Sequence, residues 1–338
     1  MAERVVLVGS DSLLGREVRD VVATMAPELD LRLIAAEEEE LGILTRVGDE
    51  PAVVGGLDAA SLAGARAVIL AGSAESSLKA LDLASAEDIG AVIDLTFAAE
   101  ERPEARLRAP LVESLAGEGS HRRGDGGIHV MAHPAAIALA LFLRRLQAND
   151  PIRRSVVQIL APASEHGAAG VEELQQQTVS LLSFKSLPRA VFDAQLAFNL
   201  LARKGDEAPV ALEDAELRIE RHLATLLDLP GPGEGAPMCS LRVIQAPVFH
   251  GYSFSAWVEY TNTPDMEALE SSLSIDSIEV RGGDFEPPTN VGHAGQSGIA
   301  VGAITPDRNH PEAAWLWFVA DNVRLAAENA VAVARQLV

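Results

Sequence analysis

The chain is poor in cysteine, in positive charge and in long apolar runs. Its single cysteine, Cys239, excludes an intramolecular disulfide. Lysine and arginine total 27 against 49 acidic residues, a net charge of −22 and a pI near 4.7. Such a surface repels phosphate backbones, which argues against nucleic acid as a partner. No stretch reaches the roughly 18 apolar residues that a membrane span requires, so no membrane association is expected. The opening Met1-Ala2-Glu3-Arg4 leads straight into Val5-Val6-Leu7-Val8, whereas a secretory signal carries a basic region before a longer apolar stretch. A cytoplasmic location is the expectation. No internal repeat or low-complexity tract stands out.

What is present is ample apolar material, 48% of 338 residues, enough for about two domains of ordinary size. Short apolar runs at residues 5–8, 31–35, 67–71 and 91–95 alternate with helical patterns, the first at residues 13–26. Continuous apolar strands separated by helices predict a parallel sheet covered on both faces, a doubly wound α/β domain. Residues 114–127 read as a loop and 134–146 as a helix. Beyond residue 152 the pattern changes: strands at 154–160, 241–248 and 254–260, a helix at 172–182, and a breaker-rich loop at 229–237. Residues 313–337 read as one long amphipathic helix, interrupted at most near Asp321.

The first strand runs into Gly9-Ser-Asp-Ser-Leu-Leu-Gly15 before a helix. Glycines at such a turn let the backbone approach a dinucleotide pyrophosphate at the helix N-terminus. The middle glycine of that pattern is Ser12. Two readings stand, a nucleotide-binding turn and a strand–helix turn that needs glycine for its geometry. The second strand ends in Ala35-Ala-Glu-Glu-Glu-Glu40. A carboxylate there, such as Glu37, binds the ribose hydroxyls of NAD, or the segment is only a solvated acidic loop. Under either reading NADP, with its extra phosphate, is the worse ligand. Cys239 fits packing better than chemistry. His129 and His133 have metal-like spacing, but Pro134 breaks a shared helix and no third ligand converges, so no metal site is expected. Phe249-His-Gly-Tyr252 places His250 and Tyr252 in alternation, suited to one face of a strand.

Several further segments fall in register with a known family. Leu70-Ala-Gly-Ser-Ala-Glu-Ser76, Val92-Ile-Asp-Leu-Thr-Phe97, Ser164-Glu-His-Gly-Ala-Ala-Gly-Val-Glu-Glu-Leu174, Phe198-Asn199, Ala246-Pro-Val-Phe-His-Gly-Tyr-Ser253 and Trp317-Phe-Val-Ala-Asp-Asn-Val-Arg324 with Asn329-Ala-Val331 keep both order and spacing. Over nearly its whole length the chain resembles the aspartate-semialdehyde dehydrogenase family, most closely its catalytically degenerate Usg-like relatives. The resemblance implies a Rossmann-like NAD(P)-binding domain at residues 1–130, completed by residues 313–338. It also implies an α+β dimerisation domain at 131–312 and a homodimer. Its dinucleotide site would involve Gly9, Asp11, Ser12, Leu13, Leu14, Gly15, Glu37, Gly72 and Asn329.

The resemblance fails where the family's chemistry resides. The family attacks its aldehyde with a Cys thiolate, moves a proton with a His and grips the substrate with Arg. In Ile128-His-Val-Met-Ala-His-Pro-Ala-Ala-Ile-Ala138 the Cys position is Ala136. The His position is Tyr252, the Arg position Gln245 and a Gln position Ala161. The phosphate-holding Arg is Glu100, and the Arg of a late Val-Gly-Arg-Ile element is Ala303. A methyl group cannot attack a carbonyl. The favoured expectation is a non-catalytic homodimer with a residual NAD pocket. Two alternatives are an NAD-dependent oxidoreductase of altered chemistry, with His133, Glu165, His166 and Tyr252 around its pocket, and a scaffold or regulatory partner of an active paralogue.

Overall fold

A computed structural model describes residues 4–36, 41–85, 89–116, 127–283 and 285–337. The chain divides into two compact units, residues 133–325 forming the bulk of the second.

In the first unit six strands form one sheet in the order Asp30–Ile34, Arg4–Val8, Ala67–Leu70, Ala91–Asp94, Gly127–Met131, Ala105–Arg108. All five pairings are parallel. The reason is visible in Arg4–Val8, whose four valine and leucine side chains are wholly buried. Successive residues point to opposite faces, so Val5 and Leu7 join one core and Val6 and Val8 another. Val18, Val21 and Val22 of helix Leu13–Met25 pack on the first face, with Ala327, Ala330, Val331 and Ala334. Ala80 and Leu81 of helix Ala74–Ala84 cover the second. The four expected strands lie within a residue or so of their expected limits. The hairpin Leu44–Val47 with Glu50–Val53 has no strong sequence signal, because its residues alternate between exposed and half-buried positions.

The second unit is built on a mixed sheet in the order Ser240–Gln245, Ile152–Ala161, Tyr252–Tyr260, Ala313–Ala320, Ile299–Pro306, Ile278–Arg281. The four central strands pair antiparallel, and the two outer pairs are parallel. Residues 313–337 are therefore not one helix. Ala314, Leu316 and Phe318 are buried while Trp315 is 41% exposed, the two-residue period of a strand. Asp321 ends that strand and starts the helix Asn322–Leu337, its Oδ1 accepting the amides of Val323 and Arg324. The apolar content misled because tryptophan, alanine and valine fit both periods over so short a run. His250 also departs from expectation: it precedes the strand that begins at Tyr252 and does not share its face.

One face of this sheet meets helix Pro134–Asn149, where Phe142 stacks on Phe318 and Phe318 on Phe254, with ring centroids 4.4 and 4.2 Å apart. The opposite face carries all three tryptophans of the chain. Trp257 pairs in register with Val156 on one side and Trp315 on the other. The indole nitrogens of Trp257 and Trp315 both donate to Asp307 Oδ2, at 2.8 and 3.0 Å. Among the described residues no helix is long and apolar enough to cross a membrane.

Arg144 is the largest fully buried side chain. Its guanidinium donates to the carbonyls of Leu226, Leu227, Leu229 and Pro230. It thus closes the C-terminal end of helix Leu212–Leu227, whose last carbonyls have no partner within the helix. Gly233 passes so close that a Cβ there would stand 2.0 Å from the Arg144 carbonyl oxygen, and its φ is +75°. Replacing Arg144 with Met preserves bulk and orphans these carbonyls, which costs about 3 kcal/mol. Urea unfolding should show that loss, and amide exchange should accelerate first in the last turn of helix Leu212–Leu227. Unchanged stability would mean that water satisfies the carbonyls.

Candidate functional site

The strand–helix turn in the first unit is held by backbones in contact. Gly9 has φ +80°, and a Cβ there would meet Gly72 N at 2.2 Å. A Cβ on Gly15 would meet the Gly9 carbonyl oxygen at 2.0 Å. These glycines are required whatever the turn binds. Ser12 caps the helix: its Oγ accepts the Gly15 amide at 2.8 Å and donates to the Ala71 carbonyl at 2.7 Å. The hydroxyl is thereby engaged within the protein. Leu13 opens the helix, and Leu14 packs against its core. Asp11 pairs with Arg16 through both carboxylate oxygens, at 3.0 and 2.9 Å. The hydrogen bond from Arg16 holds that carboxyl below its usual value. Gly9, Ser12, Gly15 and Gly72 thus come together. Asn329 is fully buried, and its Oδ1 accepts the Leu111 amide at 3.1 Å. Glu37 lies outside the described residues.

The second unit holds most of the positions that the sequence comparison set against the family's reactive groups. Ala161 and Gln245 are partners on adjacent parallel strands. Gln245 Nε2 donates to the Ala161 carbonyl at 2.9 Å. Ala136 is wholly buried in the first turn of helix Pro134–Asn149. Tyr252 is 1% exposed and opens its strand. Glu100 is half-buried in the turn after Ala91–Asp94, within the first unit. Ala303 is exposed at φ +46° beside a register shift in Ile299–Pro306.

Glu165 is the hub of this second site. It rides on the short turn Ala163–His166. Its Oε1 lies 2.7 Å from His133 Nε2, and its Oε2 accepts the hydroxyl of Tyr252. The Ala135 amide donates to His133 Nδ1 at 3.3 Å, which leaves Nε2 to donate to the carboxylate. The His133 amide in turn donates to His222 Nδ1 at 2.9 Å. Beside Glu165, His166 Nε2 stands 2.6 Å from Lys204 Nζ. Burial opposes ionisation of Glu165. Attraction to His133 and its hydrogen bond, with the charges of His166 and Lys204, outweigh that cost and hold the carboxyl below its usual value. Burial and the Lys204 charge push His166 down to about 4, against the opposing effects of Glu165 and Gln245. Burial brings Lys204 down to about 8.

His133, Glu165, His166 and Tyr252 therefore converge as the sequence suggested. Lys204 and His222 were not foreseen. His129 and His133 fall on a strand of the first unit and a helix cap of the second. Cys239 is 5% exposed, and burial pushes its thiol up to about 12, which keeps it protonated at neutral pH. The conspicuous Ser164–Leu174 motif has a structural use. Glu173 accepts the amides of Val191 and Phe192, and Gln177 binds the backbone at Pro188, Ala194, Leu196 and Ala197.

The profile described as semialdehyde dehydrogenase, dimerisation domain, matches residues 143–325. A USG-1 protein homologue of Pseudomonas aeruginosa is 29% identical over 99% of this chain and 97% of its own. The aspartate-semialdehyde dehydrogenase of Aquifex aeolicus is 28% identical over 100% and 98%. A solved structure of a probable aspartate-semialdehyde dehydrogenase from Pseudomonas aeruginosa superposes with a TM-score of 0.79 at 29% identity, covering 100% of this chain and 98% of that one. With a parallel-sheet unit followed by a mixed-sheet unit that matches the dimerisation profile, the chain belongs to the semialdehyde dehydrogenase family.

Proposed function

We propose that this chain is a catalytically silent semialdehyde dehydrogenase homologue, a homodimer that retains a nicotinamide dinucleotide site with preference for NAD. The observation that carries the reading is the occupant of the second-unit site. A methyl group stands at Ala136, and the carboxylate of Glu165 is engaged between His133 and Tyr252. Acyl transfer through a thioester needs a thiolate, a proton carrier and cationic grips on substrate and phosphate. Here Tyr252, Gln245, Ala161, Glu100 and Ala303 replace those partners, and the one thiol in the chain is protonated. Retention of the dinucleotide rests on the contacting Gly9, Gly15 and Gly72, with the Ser12 hydroxyl engaged inside the turn. Preference for NAD rests on the acidic run Glu37 to Glu40. The homodimer rests on the tryptophan-bearing sheet face, where Val156 and Trp315 are each 41% exposed.

A second reading has one observation in its favour. His133, Glu165, His166 and Tyr252 form a connected set of proton-handling groups, as an NAD-dependent oxidoreductase of altered chemistry would require.

Three outcomes are expected. In calorimetric titration NAD binds with micromolar affinity and NADP about tenfold more weakly, a difference of about 1.4 kcal/mol; absence of heat with both would remove the nucleotide site and redox chemistry with it. The triple variant Ala136→Cys, Tyr252→His and Gln245→Arg gains no phosphate-dependent NADP reduction with aspartate semialdehyde, since Ala161, Glu100 and Ala303 remain unsuited. Turnover by that variant would sink the silent reading. Sedimentation of the native protein gives a dimer, and Trp315→Glu shifts it to monomer with its circular dichroism unchanged; a native monomer would refute the assembly.

A further inference from the structure

Lysine is nearly absent from this chain, which has Lys79, Lys185 and Lys204 against 24 arginines. Lys79 and Lys185 are exposed, and Lys204 is 4% exposed. Arginine would keep its charge at this position under all ordinary conditions, whereas a lysine amine can lose its proton and become a nucleophile. The Lys204 amine touches two groups: Nζ lies 2.6 Å from His166 Nε2 and donates to the Val210 carbonyl at 3.1 Å. The charged groups acting on it are Glu165, Asp214 and, when protonated, His166. Burial lowers its affinity for the proton to about 8, while Glu165 and Asp214 oppose the shift. His166, at about 4, is neutral at pH 7 and offers Nε2 as an acceptor. Lys204 also lines a cavity of about 460 Å³ with Gly205, Ala208, Leu212, Glu216 and Arg242. That volume suits a small organic molecule.

We propose that Lys204 is a carbonyl-reactive amine that captures a small aldehyde from this cavity as an imine, with His166 holding the amine through a hydrogen bond. The ammonium first loses a proton to solvent, and His166 Nε2 accepts a hydrogen bond from the free amine. The free amine then attacks the aldehyde carbon, forming the C–N bond and a carbinolamine. As the C–O bond breaks, the oxygen leaves as water with one amine proton and one proton regained from solvent. The product is a protonated imine, and no oxidant or reductant takes part. Neither a thiol nor a nicotinamide enters the reaction, so this inference stands apart from the dehydrogenase reading.

Three lysines make the test clean. The native protein is incubated at pH 7 with propanal and sodium cyanoborohydride, which fixes an imine as a stable secondary amine. Peptide mass mapping then follows Lys79, Lys185, Lys204 and the terminal amine. The expected result is alkylation of Lys204 at least about tenfold faster than of Lys79 or Lys185, because the lowered proton affinity leaves more free amine. In urea that advantage disappears. His166→Gln, folded as judged by circular dichroism, slows the reaction at Lys204 by about tenfold. Alkylation of native Lys204 no faster than of the two exposed lysines overturns the proposal. An unchanged Lys204 rate in folded His166→Gln overturns the positioning role of His166.

Discussion

A carboxylate withdrawn from water must be surrounded by donors or cations, and the second unit is organised around meeting that demand at Glu165. His133 meets it from the cap of helix Pro134–Asn149, and Tyr252 from the first residue of a central strand. Lys204 adds charge from a distant loop, beside His166 of the turn that carries Glu165. Each of these groups is fixed in turn, His133 through His222 and Lys204 through the Val210 carbonyl. Removing one member would leave the others buried with unmet demands, so the cluster is a structural unit as much as a chemical one.

The family relationship and the local chemistry point in different directions, and the fold explains how both hold. Residues in the segments that resemble the family satisfy backbone groups: Glu173 accepts the amides of Val191 and Phe192, and Asn322 Oδ1 accepts from Ser164 and Gly251. Losing them would unmake the architecture. Ala136, Ala161 and Gln245 are buried side chains that the surrounding structure accommodates. On the proposed silent reading, a scaffold persists while its original reaction is given up.

Much of this was legible in the amino-acid sequence, and the failures have physical causes. The four apolar runs of the first unit could be read because strands covered on both faces show no competing polar period. Gly9 and Gly15 were legible as a tight turn, but the bond from the Ser12 hydroxyl to the Ala71 carbonyl spans 59 residues and was not. The strand Ala313–Ala320 was read as helix because its pairing partners, Tyr252–Tyr260 and Ile299–Pro306, are distant in the chain. Glu165 and His166 were singled out from their motif. Lys204 was not, since the loop that carries it is tied to the sheet edge by the paired amides and carbonyls of Leu201 and Gln245. No local pattern encodes that contact.

The distribution of aromatic residues has a spectroscopic consequence. Trp257, Trp315, Trp317, Tyr252 and Tyr260 are all the tryptophans and tyrosines of the chain, and every one lies in the second unit. The parallel-sheet unit is optically dark above the phenylalanine band. A fluorescence-detected melt follows only the mixed sheet, and two of its three emitters share the carboxylate of Asp307. Loss of the parallel-sheet unit would pass unseen in that signal. Only a backbone probe, such as far-ultraviolet dichroism, reports on both halves of the molecule.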